Sequence, residues 1–229
     1  MLQKLGYWAW LGGAALAGIA GMVNAIGYLS YSHQGVTHLT GTASQLGIAV
    51  HAGDTVNTGH LVLVIVAFFS GAVLSGYIIR RQTLKLGRRY GMALGLEGAL
   101  LCMAALLMRR HHEAGSYFAS AAFGLQNAMA STYSGAILRT THVTGIVTDL
   151  GAMLGHALRG MEIEWPRARL YLMVLGGFTA GGVVGAALFR LVGTDALFYP
   201  AGPTLAVAAG YGAYSHYVRI HPPKPPVAD

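Results

Sequence analysis

The sequence predicts an all-α integral membrane protein: six transmembrane helices forming two inverted three-helix repeats, each with a short re-entrant or broken helix. Three observations predict this. Hydrophobic residues make up 54% of the 229 and charged ones only 10%, against about 25% charged in a soluble domain. Apolar runs of membrane-crossing length recur along the chain. A segment near the start is repeated in mid-chain. The same composition excludes a disordered chain, and no heptad or three-residue glycine period marks a coiled coil or collagen.

Taken in order, the runs predict spans over residues 7–31, 60–79, 90–108, 116–138, 170–189 and 198–218. About 20 residues of helix cross ~30 Å of hydrocarbon. Helical stretches at 39–52 and 143–158 are too short to cross and are placed as re-entrant or broken segments. Residues 1–108 form the first three-span repeat and 109–218 the second; the proline-rich 219–229 is a flexible tail. The opening Lys4, apolar run and Ala15-Leu16-Ala17 resemble a secretory signal. A retained span is expected instead, because the residues that follow recur later.

The net charge of +7 reads as loop bias rather than nucleic-acid binding. With the N-terminus inside, Lys4, Arg80, Arg81, Lys85, Arg88, Arg89, Arg159, Arg167, Arg169, Arg219 and Lys224 lie in inside segments. Only Arg109, Arg110 and Arg190 lie outside, and Arg139 sits near the inner end of the fourth span. That asymmetry places both termini in the cytoplasm. Trp8, Trp10 and Trp165 fall at boundaries, as interfacial aromatics do. The single cysteine, Cys102, excludes an intramolecular disulfide and a CxxC site.

The repeat is carried by GMVNAIGYLSYSHQGVTHLTGTASQLG from Gly21 and GLQNAMASTYSGAILRTTHVTGIVTDLG from Gly124. Gly21, Asn24 and Ala25 match Gly124, Asn127 and Ala128 at an offset of 103; His38, Thr40 and Gly41 match His142, Thr144 and Gly145 at 104. Phe69, Ser70 and Gly76 align with Phe178, Thr179 and Gly185 at 109. Three spans per repeat turn the second repeat upside down, and such repeats bind substrate at their interface near the midplane.

At these residues the chain resembles the YoaK family, the bacterial membrane proteins of domain of unknown function 1275. Gly124-Leu125-Gln126-Asn127-Ala128 and Thr140-Thr141-His142-Val143-Thr144-Gly145 carry the resemblance, which spans residues 10–215. The first motif departs from it: Thr40-Gly41-Thr42 stands where the family often has Thr-Gly-Asn. The resemblance implies a six-span bacterial inner-membrane protein suspected of moving small metabolites.

His-X-Thr-Gly opens both short helices. A helix N-terminus held inside the membrane suits an anion or carboxylate. The alternative is that Thr40 and Thr144 cap and Gly41 and Gly145 pack. Asn24, Gln126 and Asn127 are in-span amides that bind substrate or bond neighbouring helices. The expected substrate site is therefore Asn24, His38, Thr40, Gly41, Gln126, Asn127, His142, Thr144 and Gly145. Glu97 and Asp149 are the two acids of eight surrounded by apolar sequence. Such acids usually mark an ion or proton path, so both are candidates for proton coupling; a structural hydrogen bond or an ion pair with Arg139 is the alternative for each.

No metal or other cofactor is expected: His33, His38 and His142 alone resemble a ligand set, without HExxH or a Cys/His cluster. His111 and His112 are expected in an outer loop, and His51 and His156 at the ends of the short helices. Gly177, Gly181 and Gly185 allow close helix contact, inside the chain or across a homodimer. No P-loop, Rossmann fingerprint or GxSxG motif is present. The expected function is secondary transport of a small polar or anionic metabolite rather than catalysis. The alternatives are a passive channel, an intramembrane enzyme built on His38, His142 and Glu97, and a non-transporting scaffold or sensor. The expected partners are the lipid bilayer and a small-molecule substrate, and not nucleic acid.

Overall fold

The structure, a computed structural model, describes residues 7–30, 35–79, 88–134 and 139–220. Lys4, His33, Arg80, Arg81, Lys85 and the tail from His221, Lys224 included, lie outside the described residues. Among the described residues every regular element is helical. In chain order these are α1 (Tyr7–Leu29), α2 (Leu39–His51), α3 (Thr55–Ile78), α4 (Arg88–Arg109), α5 (Ala114–Ser134), α6 (Val143–Leu158), α7 (Trp165–Val192), a 3-10 turn (Gly193–Leu197) and α8 (Phe198–Ile220).

Each expected span and short helix falls on one of these. Two begin five residues early for local reasons. Asp54 caps α3, its carboxylate accepting from the Asn57 N–H at 3.0 Å. Pro166 stands in the first turn of α7, where a missing N–H costs nothing.

Among the described residues, four stretches are long and apolar enough to cross a membrane: Trp10–Leu29, Thr55–Ile78, Arg89–Arg109 and the 49-residue Trp165–Ala213, which runs through α7, the 3-10 turn and into α8. The helix α5 is not among them. Its serines and amides lower its hydropathy, yet they face protein. Ser116, Ser120 and Gln126 are buried, the Ser120 hydroxyl donates to the Val64 carbonyl at 2.9 Å, and Gln126 Nε2 donates to the Leu16 carbonyl at 2.8 Å. Polar side chains bonded to neighbouring helices are tolerated at membrane depth. Large apolar side chains instead point outward along α3 and α7, among them Phe69, Val73, Leu172, Val183 and Leu191, as contact with a lipid bilayer requires.

The helices pair across the chain. Gly177, Gly181 and Gly185 of α7 stack on Ala14, Gly18 and Met22 of α1, so these helices run parallel. The glycine stripe therefore packs inside the chain, and its use as a homodimer face is set aside. The helices α3 and α5 also run parallel, with His60, Val64 and Phe68 beside Tyr117, Ser120 and Gly124. By contrast α4 lies antiparallel to α8, Gly91 meeting Tyr211 and Gly98 meeting Leu205.

Two backbone contacts occur twice. A Cβ on Gly21 would fall on the Phe178 carbonyl, and one on Gly124 on the Phe68 carbonyl. Likewise Gly181 abuts Gly18 and Gly71 abuts Ala121. Phe68 and Gly71 thus correspond to Phe178 and Gly181 at an offset of 110. This corrects the 109 of the sequence alignment: backbone contact, not side-chain likeness, sets the register. The core between the pairs is filled by Val23, Ile26, Leu101, Met108, Phe123 and Leu197.

Candidate functional site

The site grows from the two short helices. His38 precedes α2 in extended conformation (φ −146°, ψ 145°) and His142 precedes α6; at neither does a side chain cap the helix start. The first-turn N–H groups of both helices are thus left without the side-chain acceptor that a cap supplies. Thr40 and Thr144 do not cap. They stand one residue inside each helix, and their carbonyls accept from Ser44 Oγ (3.2 Å) and Thr148 Oγ (2.9 Å).

What holds these starts in place is a bond present in both halves. The Thr37 hydroxyl donates to Asn24 Oδ1 at 3.0 Å, and the Thr141 hydroxyl to Asn127 Oδ1 at 3.0 Å. Each ties a helix start to a span, α1 or α5. Asn127 Nδ2 also donates to the Phe123 carbonyl at 3.0 Å. Thr37 and Thr141 are absent from the sequence-predicted set, although the chain carries their signal: Thr-His-X-Thr-Gly stands in both halves.

Both starts open on one cavity of about 700 Å³. His38, Thr40, Asn127, His142 and Thr144 line it, with Arg139, Ser131 and Thr141. Phe68 and Phe178 line it as well, so it sits where α3 crosses α5 and α1 crosses α7. Among the described residues no acidic side chain is in the lining. Arg139 has no acidic partner among the described residues. The cavity is therefore electropositive: it holds one guanidinium and two helix N-termini, each terminus carrying about half a positive charge, and two imidazoles whose ring nitrogens can hydrogen-bond.

The other sequence-predicted residues lie apart from the lining. Asn24 is buried on its threonine, and Gln126 is buried on α1. Gly41 and Gly145 sit beneath the rings of His38 and His142; a Cβ on Gly145 would collide with its imidazole, whereas one on Gly41 would meet His38 at 3.9 Å. Glu97 is fully buried in α4, with no hydrogen-bond partner for either carboxylate oxygen among the described residues. Asp149 is not enclosed in apolar surroundings: its side chain is 42% exposed. It accepts from Arg167 Nη2 at 3.0 Å and from the Tyr171 hydroxyl at 2.9 Å. Its ion-pair partner is Arg167 and not Arg139, because α6 lies against α7 one turn past its start. No group of three His, Cys, Asp or Glu side chains able to hold a metal ion occurs among the described residues.

The family model for a protein of unknown function, DUF1275, matches residues 12–210. The chain belongs to the DUF1275 family. No curated protein and no solved structure matches it. The DUF1275 match begins inside α1 and ends inside α8. It therefore takes in both short helices of this DUF1275 chain and every residue of the cavity lining.

Proposed function

We propose that this DUF1275 chain is a secondary transporter of a small anionic metabolite in the bacterial inner membrane. The observation that carries the reading is the single electropositive cavity into which both His-X-Thr-Gly helix starts open. Six spans, α1, α3, α4, α5, α7 and α8, form two repeats over 1–108 and 109–218, inverted in the membrane. The exchange of partners supports this: the first span of each half packs on the second span of the other, α1 on α7 and α5 on α3. So do the helix directions. If the spans alternate, α1 and α7 rise together, α3 and α5 descend together, and α4 opposes α8, as their contacts run. Inverted repeats place substrate at the interface near the midplane, beside interrupted helices.

The inside excess of Lys and Arg puts both termini in the cytoplasm. The chain acts as a carrier and not as an enzyme. Glu97 is the proton carrier: a fully buried acid without a partner among the described residues is costly to keep in a membrane protein unless it serves a pathway. Asp149, tied to Arg167 and Tyr171, holds α6 to α7.

The test is anion binding by the purified chain in neutral detergent, read as the rise in Tm over a panel of carboxylates. Arg139→Ala is expected to weaken binding about tenfold to a hundredfold, the scale of a lost charge-assisted hydrogen bond of ~1.5–3 kcal/mol. Arg139→Lys restores part of it, as a point charge without the planar fork. Equal binding by wild type and Arg139→Ala would overturn the anion site.

A further inference from the structure

The cavity also carries a substrate class. Resting on the anion-site reading above, we propose that it takes an organic dianion with an acidic group at each end of an apolar body, of the α,ω-dicarboxylate kind. The polar groups of the lining come in two sets from distant parts of the chain. One is His38 with Thr40 at the start of α2; the other is His142 with Thr144 at the start of α6, reinforced by Arg139. Each set pairs an imidazole with a hydroxyl at a helix start that no side chain caps. Each therefore favours one anionic group, by hydrogen bonding and by the helix dipole. Apart from these sets, Thr141 and the α5 polar residues Asn127 and Ser131, much of the wall is apolar, with Phe68 and Phe178 its largest members. An apolar body between two acidic ends matches that division.

The lining also argues against the neighbouring classes. A monoanion satisfies one set and leaves the other hydrated, losing one of two charge-assisted contacts. A zwitterion would bring an ammonium to a helix N-terminus or to Arg139, with no acidic side chain in the lining, among the described residues, to receive it. Discrimination against it comes from the like charge of Arg139 and of the helix N-termini, which is a repulsive element and not a lost contact.

The experiment compares three six-carbon probes on the purified full chain: adipate, hexanoate and 6-aminohexanoate, which differ only in the group at one end. Adipate is expected to bind at least tenfold more tightly than hexanoate, and 6-aminohexanoate more weakly than either. His38→Ala and Thr40→Val are each expected to bring adipate toward the hexanoate value, with hexanoate changed less than about twofold, because hexanoate keeps the Arg139 end. The melting temperature without ligand shows that these variants fold, and His38→Gln serves as the milder replacement. Equal affinity for adipate and hexanoate, both lost in Arg139→Ala, would overturn the dianion inference and leave the anion site standing. Binding of 6-aminohexanoate as tight as adipate would also overturn it. Failure of all three probes to bind would overturn both readings.

Discussion

Gly181→Leu and Gly71→Leu are each expected to abolish the folded protein. Helices in lipid gain little from hiding apolar surface from one another, so their association depends on close packing. At Gly181 that packing is backbone on backbone. A Cβ would fall on the Gly18 carbonyl of α1, and at Gly71 on the Ala121 carbonyl of α5. Neither neighbour is a side chain that can rotate aside, so the helices themselves must separate. Overpacking a core by a methylene or two costs about 1–3 kcal/mol where side chains can adjust; a leucine against a carbonyl exceeds that. Gly176 is the control, since it lies on the same helix with nothing within 4 Å of its Cβ position. Gly176→Leu is expected to keep a single monodisperse peak on size exclusion and a near-native Tm. Loss of all three variants, or survival of all three, would contradict the packing.

Glu97→Gln is expected to abolish accumulation of adipate driven by a pH gradient in proteoliposomes, while adipate exchange across the membrane persists. The substitution keeps the shape of the side chain and replaces the titrating carboxyl by a neutral amide that cannot take up or release a proton. Glu97 is completely buried, outside the cavity lining and without a hydrogen-bond partner among the described residues. A charge there has no counter-ion among the described residues, and the role proposed for Glu97 is to carry the coupled proton rather than to touch substrate. Exchange without accumulation is the signature of that role. Accumulation that stayed fully pH-driven in Glu97→Gln would remove Glu97 from the coupling path.

Much of this arrangement is legible in the chain. Helix positions follow from run length and hydropathy, and the two short helices from runs that stop well short of 20 residues. The matching placement of His38, Thr40, His142 and Thr144 at two helix starts is legible because the motif occurs twice. What escapes the sequence depends on partners far along the chain. Arg139 reads as a loop-end cation until the cavity places it beside His142. Phe68 is not singled out by the sequence and Phe178 only by the repeat alignment; both line the cavity, and the glycines opposite them draw the helices together. Asp149 sits in an apolar run, but its surroundings are set by Arg167 and Tyr171, 18 and 22 residues on. Asn24 and Asn127 look alike as ligands, yet each accepts a hydroxyl from its own half. The polar character of α5 lowers its hydropathy because it is enclosed by protein and not by lipid.

The inversion of the two halves is the centre of the account, and sided labelling tests it most directly. With Cys102 replaced by alanine, a single cysteine is placed at Ala52, in the turn between α2 and α3, or at Glu162, between α6 and α7; both positions are exposed. These turns correspond in the two halves. A membrane-impermeant maleimide added to intact cells is expected to label Ala52→Cys at once, and Glu162→Cys only after the membrane is opened. Labelling of both cysteines from the same side would contradict the inverted arrangement.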